Sequence, residues 1–270
     1  MQRLLADHGL RPSRALGQNF VADPNTVRRI VRLAGVDPGD PVVEVGAGLG
    51  SLTLALADAG AEVVAVEVDR DLVPILRQVV ADRSVTVVEA DALRLDWPAL
   101  LGHHQAWSLV ANLPYNVATP LVIGVLEQAP QVASLLVMVQ REVGERMAAV
   151  PGQAAYGAVS VIVAYWARAS VVGRVSPEVF VPRPKVDSAL VRIDRLPQPA
   201  VPPATVTYDR LRQVVRAGFA HRRKMLRRSL DGLVVPAAFA AAGVAPQARA
   251  EELDVEQWGR LAGWRDTGES

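Results

Sequence analysis

Short apolar runs alternate with longer helical stretches between Pro41 and Gln140, and this alternation constrains the fold more than any other feature of the sequence. The apolar runs are dense in β-branched residues without strict polar alternation, which is typical of strands buried on both faces. One helical stretch ends at Gly60, which suits a helix C-cap. The predicted strands cover residues 42–45, 62–66, 85–89, 107–112 and 134–140. Repeated βα units predict an α/β fold with a mostly parallel, doubly wound sheet.

The rest of the chain has a different character. Residues 158–196 contain three further apolar runs, SVIVAYW, RASVVGRV and DSALVRI, and a Pro-rich FVPRPKV segment. These runs predict further strands, antiparallel and closing one sheet edge. Residues 196–204 contain four Pro and predict a linker. The pattern from Tyr208 onward is helical. We therefore predict an α/β domain over residues 1–195, a linker over 196–204 and a small all-α domain over 205–270.

Composition excludes several kinds of chemistry. The chain has no Cys, which rules out disulfides, thiolate metal sites, iron–sulfur clusters and a Cys nucleophile. Its four His lack the spacing of a zinc motif, so we expect no metal. The N-terminus lacks a signal-peptide run, and no stretch reaches the ~18 apolar residues of a membrane span. We expect a soluble, cytoplasmic protein that does not bind membranes.

The formal net charge of +1 conceals a strongly uneven distribution. Residues 1–36 carry a net +4 and residues 37–110 a net −8. Residues 210–228 carry seven Arg, one Lys and no acid. Such clustering is expected for a polyanion partner such as nucleic acid. It is also compatible with a solvated amphipathic helix, because apolar residues lie at helical spacing beside the charges.

A glycine loop, Gly46-Ala47-Gly48-Leu49-Gly50, follows the first of these predicted strands directly. Glycines at Gly46 and Gly48 would let the backbone approach a ligand closely. Glu67 ends the next strand, where a carboxylate can accept both hydroxyls of a ribose. The spacing differs from the dinucleotide fingerprint and from a P-loop. The segment EVGAGLGSLT resembles motif I of the class I methyltransferases that use S-adenosylmethionine, with nicotinamide enzymes as the alternative.

Asp91 follows the third predicted strand. An Asp at this position is commonly a helix N-cap or a solvated loop carboxylate. In a methyltransferase, a carboxylate at this edge of the sheet would accept a hydrogen bond from the adenine amine of the cofactor. The position of Asp91 after the third strand, at the binding edge of the sheet, favours the second interpretation.

The segment Asn112-Leu113-Pro114-Tyr115 follows the fourth predicted strand. An adenine amine is a poor nucleophile because its lone pair is delocalised. The Asn112 oxygen and the carbonyl beside Pro114 could hold its hydrogens and direct the lone pair at a methyl donor. Tyr115 would stack on the extruded base. The alternative is an ordinary turn, in which Asn, Pro and Tyr are common.

With these motifs in place, the sequence resembles the bacterial ribosomal RNA small-subunit adenine N6,N6-dimethyltransferases. The similarity extends from about Leu16 to Leu230. The segments that carry it are LGQNFVADPN (16–25), EVGAGLGSLT (44–53), VEVDRDL (66–72), DAL (91–93), NLPYNVATPL (112–121), VQREVGERMAAVPGQAAYGAVSV (139–161), FVPRPKVDSALVRI (180–193) and FAHRRKMLRRSL (219–230). Ala47 and Val21 depart from the usual Pro and Leu, and both changes are small.

The resemblance implies roles for individual residues. It makes residues 1–195 the methyltransferase domain, with Asn112, Leu113, Pro114 and Tyr115 as the catalytic segment. It assigns cofactor contacts to Asn19, Val21, Gly46, Glu67, Asp91 and Asn112, beside the Gly48 expected from the loop. We interpret Arg222, Arg223, Lys224, Arg227 and Arg228 as contacts to RNA phosphates.

The resemblance also implies an activity, a substrate and a partner. Four methyl groups would pass from S-adenosylmethionine to two adjacent adenosines in the 3′-terminal hairpin loop of 16S rRNA. The partner would be the immature 30S subunit, with a role in subunit biogenesis, and the enzyme is expected to be a monomer. Two alternatives are a 23S rRNA adenine N6-methyltransferase that confers antibiotic resistance and a non-catalytic ribosome assembly factor.

Overall fold

The computed structural model describes residues 12–13, 16–102, 106–221 and 224–264. The chain divides into two compact units, residues 1–144 with 170–195, and residues 145–169 with 196–270. The predicted domain boundary at residue 195 differs from this division, because residues 145–169 pack with the C-terminal helices. Sequence pattern could not show this, since the segment is separated from its packing partners along the chain.

The first unit is built on a mixed sheet. The described strands are β1 Phe20–Val21, β2 Pro41–Val45, β3 Glu62–Glu67, β4 Val85–Glu89, β5 Trp107–Asn112, β6 Val132–Gln140, β7 Ala167–Val175, β8 Phe180–Val181 and β9 Ser188–Arg195. The large sheet has the order β4-β3-β2-β5-β6-β9-β7, and β1 pairs with β8 in a separate two-stranded sheet. Strands β2 to β6 are parallel to one another, and β9 is antiparallel to β6. The predicted α/β class, with its mostly parallel sheet and antiparallel edge, is confirmed.

Helices connect the strands and make up most of the second unit. The described helices are α1 Pro24–Ala34, α2 Ser51–Asp58, α3 Val73–Val79, α4 Trp97–Leu101, α5 Ala118–Gln128, α6 Arg141–Ala148, α7 Ala158–Trp166, α8 Tyr208–Ala220, α9 Leu226–Ser229, α10 Pro236–Ala242 and α11 Val255–Gly263. Gly60 ends the turn after α2 at φ +92°, and its N–H donates to the Ala57 carbonyl, as its predicted capping role requires. Short 3-10 turns occur at Pro177–Val179 and Ala250–Glu252.

The order of the parallel strands creates the binding edge of the sheet. Strand β2 lies between β3 and β5, so the chain leaves β2 at the point where the strand order reverses. Ligands of open α/β sheets bind at such a switch point, outside the carboxyl ends of the strands. Gly46, Glu67, Asp91 and Asn112 all lie at the carboxyl end of a strand or just beyond it. The topology therefore brings residues that are distant in sequence to one edge.

The predicted strand in the run SVIVAYW is wrong, because residues 158–166 form α7. Val161, Ile162 and Val163 are consecutive and all buried. A helix buried on nearly all sides is as apolar as a buried strand, so periodicity could not separate the two. The Gly157 N–H donates to the Ser160 hydroxyl at 3.1 Å, which fixes the start of the helix.

The Pro-rich stretch 196–204 is packed, in contrast to its predicted role as a linker. Val201 is buried, and the Ala200 N–H donates to the Tyr165 carbonyl at 2.8 Å. A Cβ on Gly259 of α11 would lie 2.6 Å from the Val201 side chain. Close packing against a glycine of a helix therefore fixes this irregular segment, although its Pro-rich composition predicts a linker.

The basic segment 210–228 is not one continuous helix. Helix α8 ends at Ala220, and α9 begins at Leu226 after the extended residue Met225. Leu226 and Leu230 are fully buried, and the Leu226 N–H donates to the Ala248 carbonyl at 2.8 Å. Burial of these leucines accounts for the break, which a charge and periodicity pattern does not reveal.

Within the described part of the chain, no helix is both long and apolar enough to cross a bilayer.

Candidate active site

The glycine loop between β2 and α2 adopts a conformation that requires glycine. Gly46, Gly48 and Gly50 have φ angles of +75°, +57° and +81°, a region that residues with a Cβ rarely adopt. The Gly46 N–H donates to the Val66 carbonyl at 2.8 Å, which ties the loop to β3. A Cβ on Gly48 would lie 2.9 Å from the Phe20 ring. The loop backbone therefore forms one wall of a cavity.

Glu67 at the end of β3 is buried and held by backbone donors. Its Oε2 accepts from the Gly48 N–H at 2.7 Å, and its Oε1 accepts from the N–H groups of Val68 and Asp69 at 3.0 and 2.9 Å. Burial raises the pKa of Glu67, and these three hydrogen bonds oppose that shift. A carboxylate has about four acceptor positions, so about one is left for a ribose hydroxyl. A second hydroxyl would have to displace a backbone N–H.

Asp91 lies just beyond β4 in a turn that it helps to form. Its Oδ1 accepts from the Leu93 N–H at 3.0 Å, and Arg94 lies 3.7 Å from its Oδ2. Its side chain is 45% exposed and lines an apolar cavity of about 200 Å³. Asp91 is not a helix N-cap, because the next helix begins at Trp97 and is capped by Asp96. Its role in the turn and a role in binding are compatible in one side chain.

Two adjoining cavities meet at this sheet edge. The more polar of the two, the polar cavity, is lined by the glycine loop, Glu67 and the catalytic segment. The apolar cavity contains Asp91 and hydrophobic side chains including Val68 and Leu93. Leu16, Gly46, Val68 and Pro114 line both cavities. The joined space has a polar end and an apolar end.

Asn112 ends β5 and lines the polar cavity. Its Nδ2 donates to the backbone carbonyl of Asn19 at 2.8 Å. This bond uses the amide nitrogen and leaves the carbonyl oxygen Oδ1 for a ligand. The Leu113 N–H donates to the Met138 carbonyl at 3.0 Å, which fixes the backbone that carries the catalytic segment.

Tyr115 is held at the far end of its ring. Its hydroxyl lies 3.3 Å from the hydroxyl of Ser188, a buried residue that begins β9. The Tyr115 ring lines the polar cavity. The hydrogen bond limits rotation of the ring, which suits a platform on which a base stacks.

The N-terminal segment, residues 16–21, forms another wall of the polar cavity. Asn19 lines this cavity, and its side chain donates to the Gly17 carbonyl at 3.0 Å. Val21 does not line it; this buried residue pairs with Phe180 in the small sheet and borders a crevice beside Glu44. Of the two cofactor contacts predicted in this segment, only Asn19 lines the polar cavity.

Glu44 is a fully buried carboxyl next to the glycine loop. Burial raises its pKa to about 8, the nearby Thr53 hydroxyl opposes the shift, and the charge of Glu67 adds to it. Its Oε2 has no hydrogen-bond partner among the described residues. Near pH 7 Glu44 is therefore mostly neutral, and it can donate as well as accept a hydrogen bond.

Most of the predicted site residues come together. Asn19, Gly46, Gly48, Glu67, Asn112, Leu113, Pro114 and Tyr115 line the polar cavity, and Asp91 lines the apolar one. Sequence reasoning missed Gln18, Phe20, Val68 and Leu93, which line the cavities as well. Gln18 and Phe20 lie within LGQNFVADPN, a segment that carries the family resemblance. This resemblance was the sequence signal that could have identified them.

The predicted RNA-contacting residues belong to the second unit. Lys224, Arg227 and Arg228 are exposed around α9, as phosphate contacts must be. Arg222 and Arg223 lie outside the described residues. In the parts of the chain with described coordinates, no cluster of His, Asp and Glu could hold a metal ion.

Comparison with known families settles the class of the protein. Residues 10–266 match the family described as ribosomal RNA adenine dimethylase. The chain belongs to this family. It is 46% identical to the ribosomal RNA small subunit methyltransferase A of Rhodococcus erythropolis, over 97% of this chain and 91% of that protein. The protein of the same description from Leifsonia xyli is 48% identical, over 94% of this chain and 92% of the relative.

Two solved structures share the fold. A dimethyladenosine transferase from Plasmodium falciparum superposes with a TM-score of 0.76 at 21% identity, covering 90% of this chain and 95% of that one. The 23S rRNA methyltransferase ErmE superposes with a TM-score of 0.70 at 28% identity, covering 90% of this chain and 98% of that one. The fold is that of the class I methyltransferases with a C-terminal helical unit.

Members of this family take their methyl groups from S-adenosylmethionine, and the cavities fit that cofactor. The apolar cavity, with Val68 and Leu93, matches a flat adenine, and Asp91 supplies an acceptor for its amine. The polar cavity, with Glu67 and the loop that only glycine can form, matches a ribose and a charged amino-acid group. The unpartnered Glu44 Oε2 offers a further polar atom beside the loop.

Proposed function

We propose that this enzyme dimethylates the exocyclic N6 amines of two adjacent adenosines in the 3′-terminal hairpin loop of 16S rRNA. The substrate is the immature 30S subunit in the cytoplasm, and the enzyme acts as a monomer during small-subunit biogenesis. The observation that carries the proposal is the convergence of Asn112, Pro114 and Tyr115 with the glycine loop and Glu67 around one cavity.

The catalytic segment supplies the groups that an adenine amine needs. Asn112 Oδ1 accepts one N6 hydrogen, and the Leu113 carbonyl, next to Pro114, accepts the other. The lone pair is thereby localised on nitrogen and directed at the sulfonium methyl that the bound cofactor supplies. Tyr115, braced by Ser188, stacks on the extruded base.

No general base is required in this arrangement. The N6 nitrogen becomes acidic only after it carries the new methyl group, so its proton can leave late. The rate enhancement comes from in-line positioning and from acceptors for developing positive charge. The absence of Cys from the sequence is consistent with a mechanism that needs no covalent nucleophile.

The degree of similarity favours the small subunit over the large one. Curated small-subunit enzymes match at 46% and 48% identity over nearly the whole chain. The 23S rRNA methyltransferase ErmE matches at 28%. An assembly factor without catalytic activity would not need Asn112, Glu67 and the glycine loop around one cavity.

Methyl transfer to purified immature small subunits tests the proposal. We expect label from S-adenosylmethionine to enter 30S subunits from a strain that lacks this enzyme, and mass spectrometry to place it on two adjacent adenosines. Mature, already methylated subunits are the matched control and should take up none. Label confined to large-subunit RNA would overturn the proposal, and so would the absence of transfer to either subunit.

The exposed cations around α9 should contribute to subunit binding through phosphate contacts. Reversal of charge at Arg227 and Arg228 to Glu should weaken binding and lower the slope of log affinity against log salt by about two, one per lost contact. Filter binding at several salt concentrations measures the slope. Binding of free S-adenosylmethionine should not change. An unaltered slope would show that these side chains only solvate the surface.

A further inference from the structure

We infer that Gln18 is a positioning residue for the reaction, and that its hydrogen bond to Asp69 holds the catalytic amide of Asn112 in its working orientation. The inference rests on the proposed function, since it assumes that Asn112 Oδ1 receives the target amine. It concerns residues of the N-terminal segment and of the turn after β3, neither of which donates a group to the reaction.

Gln18 connects two parts of the cavity wall. Its Nε2 donates to Asp69 Oδ2 at 2.6 Å, and its Oε1 accepts from the Ser13 N–H at 2.7 Å. The Gln18 N–H donates to the Ser13 carbonyl at 3.1 Å. Both ends of the side chain and the backbone are thus engaged, which leaves Gln18 little freedom.

Asp69 is itself fixed to the cofactor side of the cavity. Its N–H donates to Glu67 Oε1 at 2.9 Å, and its Oδ1 accepts from the Asp71 N–H at 3.0 Å. Only Oδ2 is directed to Gln18. The bond from Gln18 therefore attaches the N-terminal segment to the same turn that carries Glu67.

Asn19, the next residue, presents its carbonyl to Asn112. The Asn112 Nδ2 donates to this carbonyl at 2.8 Å. If the amide were flipped, two oxygens would face each other and repel, so the position of the Asn19 carbonyl sets the orientation of the amide. A shift of the segment would remove this bond and let Oδ1 turn away from the amine.

The segment is held differently on the two sides of Asn19. On the C-terminal side, Phe20 and Val21 are buried in hydrophobic clusters and pair with β8. On the N-terminal side, Gly17 lies against Pro114, where an added Cβ would be 3.2 Å from the Pro114 Cβ. The bond from Gln18 to a carboxylate is the charge-assisted restraint on that N-terminal side, next to the Asn19 carbonyl.

A reciprocal exchange of the two side chains tests the inference. Gln18→Glu places two carboxylates together, and Asp69→Asn brings two amide nitrogens together while Oδ1 stays on Asp71. In Gln18→Glu with Asp69→Asn, the new Asn donates to the new Glu, and the net charge returns to that of the wild type. Gln78→Glu, at an exposed position of α3, is the control for an added charge.

Two readouts apply, one of them independent of turnover. We expect each single variant to lower kcat at saturating cofactor about tenfold, as a misplaced amide should. Hydrogen exchange of the 16–21 backbone in cofactor-free protein should become faster. The double variant should return both values to within about twofold of the wild type, because the two changes are coupled. Thermal melting identifies a single variant that fails to fold. In that case, recovery of kcat and of slow hydrogen exchange in the double variant tests the inference.

The outcomes that overturn the inference are distinct from failure of the proposed function. A Gln18→Glu variant with wild-type kcat overturns it, and so does faster exchange without loss of kcat. A double variant no better than the worse single variant shows that the bond has no such role. If instead Asn112→Ala retains activity, or the wild type does not modify small-subunit adenosines, the proposed function itself fails.

Discussion

Replacement of Asn112 by Ala should lower kcat for methyl transfer to immature subunits by about 100-fold or more, because a transition-state hydrogen-bond acceptor is lost from a preorganised site. Asn112 Oδ1 is the only side-chain acceptor that the catalytic segment offers to the N6 hydrogens. Single-turnover assays with labelled cofactor measure the chemical step directly. The fold should survive, since Asn112 is only partly buried at the end of β5.

Two further variants define the role of the amide. Asn112→Asp keeps the shape but cannot donate to the Asn19 carbonyl, so it should lose nearly as much activity as the Ala variant. Asn25→Ala, at an exposed site in α1, is the matched control and should retain wild-type kcat. Activity of Asn112→Ala within a few-fold of the wild type would remove Asn112 from the catalytic segment.

Replacement of Gly48 by Ala should weaken S-adenosylmethionine binding by about tenfold or more, and calorimetric titration measures this directly. Two effects combine at this position. The residue has a φ of +57°, which an Ala adopts only with strain, and the new methyl group would lie 2.9 Å from the Phe20 ring. Relief of the backbone strain, or of the close contact with Phe20, would move the Gly48 N–H, which donates to Glu67 Oε2.

Gly39→Ala separates backbone strain from damage to the cavity. Gly39 also has a positive φ, +89°, but an added Cβ would meet nothing within 4 Å. This variant should lose some thermal stability and keep its affinity for the cofactor. Equal losses of affinity in the two variants would mean that general destabilisation, not the shape of the loop, explains the result.

The sequence was sufficient for the parallel core because each local signal agreed with the fold. Strands β2 to β6 are apolar runs bounded by turn residues, and the glycine loop lies where a strand meets a helix. Glu67 and Asn112 could be placed at the ends of predicted strands, and the ends of parallel strands share one edge. Their convergence on one cavity followed from the topology.

A strand over residues 158–166 and an unbroken helix over the basic segment are two predictions that the structure corrects, and they fail for a common physical reason. The conformation of each segment depends on what it packs against and not on its local pattern. Burial of Val161 to Val163 on all sides hides helical periodicity, and burial of Leu226 ends the long helix early. Local propensity is a weak guide wherever tertiary packing surrounds a segment.

By itself, the sequence determined the fold class, the family resemblance and the motif residues among those that line the cavities, because these depend on periodicity and on motifs contiguous in the chain. Only the tertiary structure decided how the N-terminal segment contributes. The bonds from Gln18 to Asp69 and from Asn112 to Asn19 join residues 51 and 93 positions apart. Hydrogen bonds over such separations exist only once the sheet has brought the strand ends together, so no local pattern encodes them.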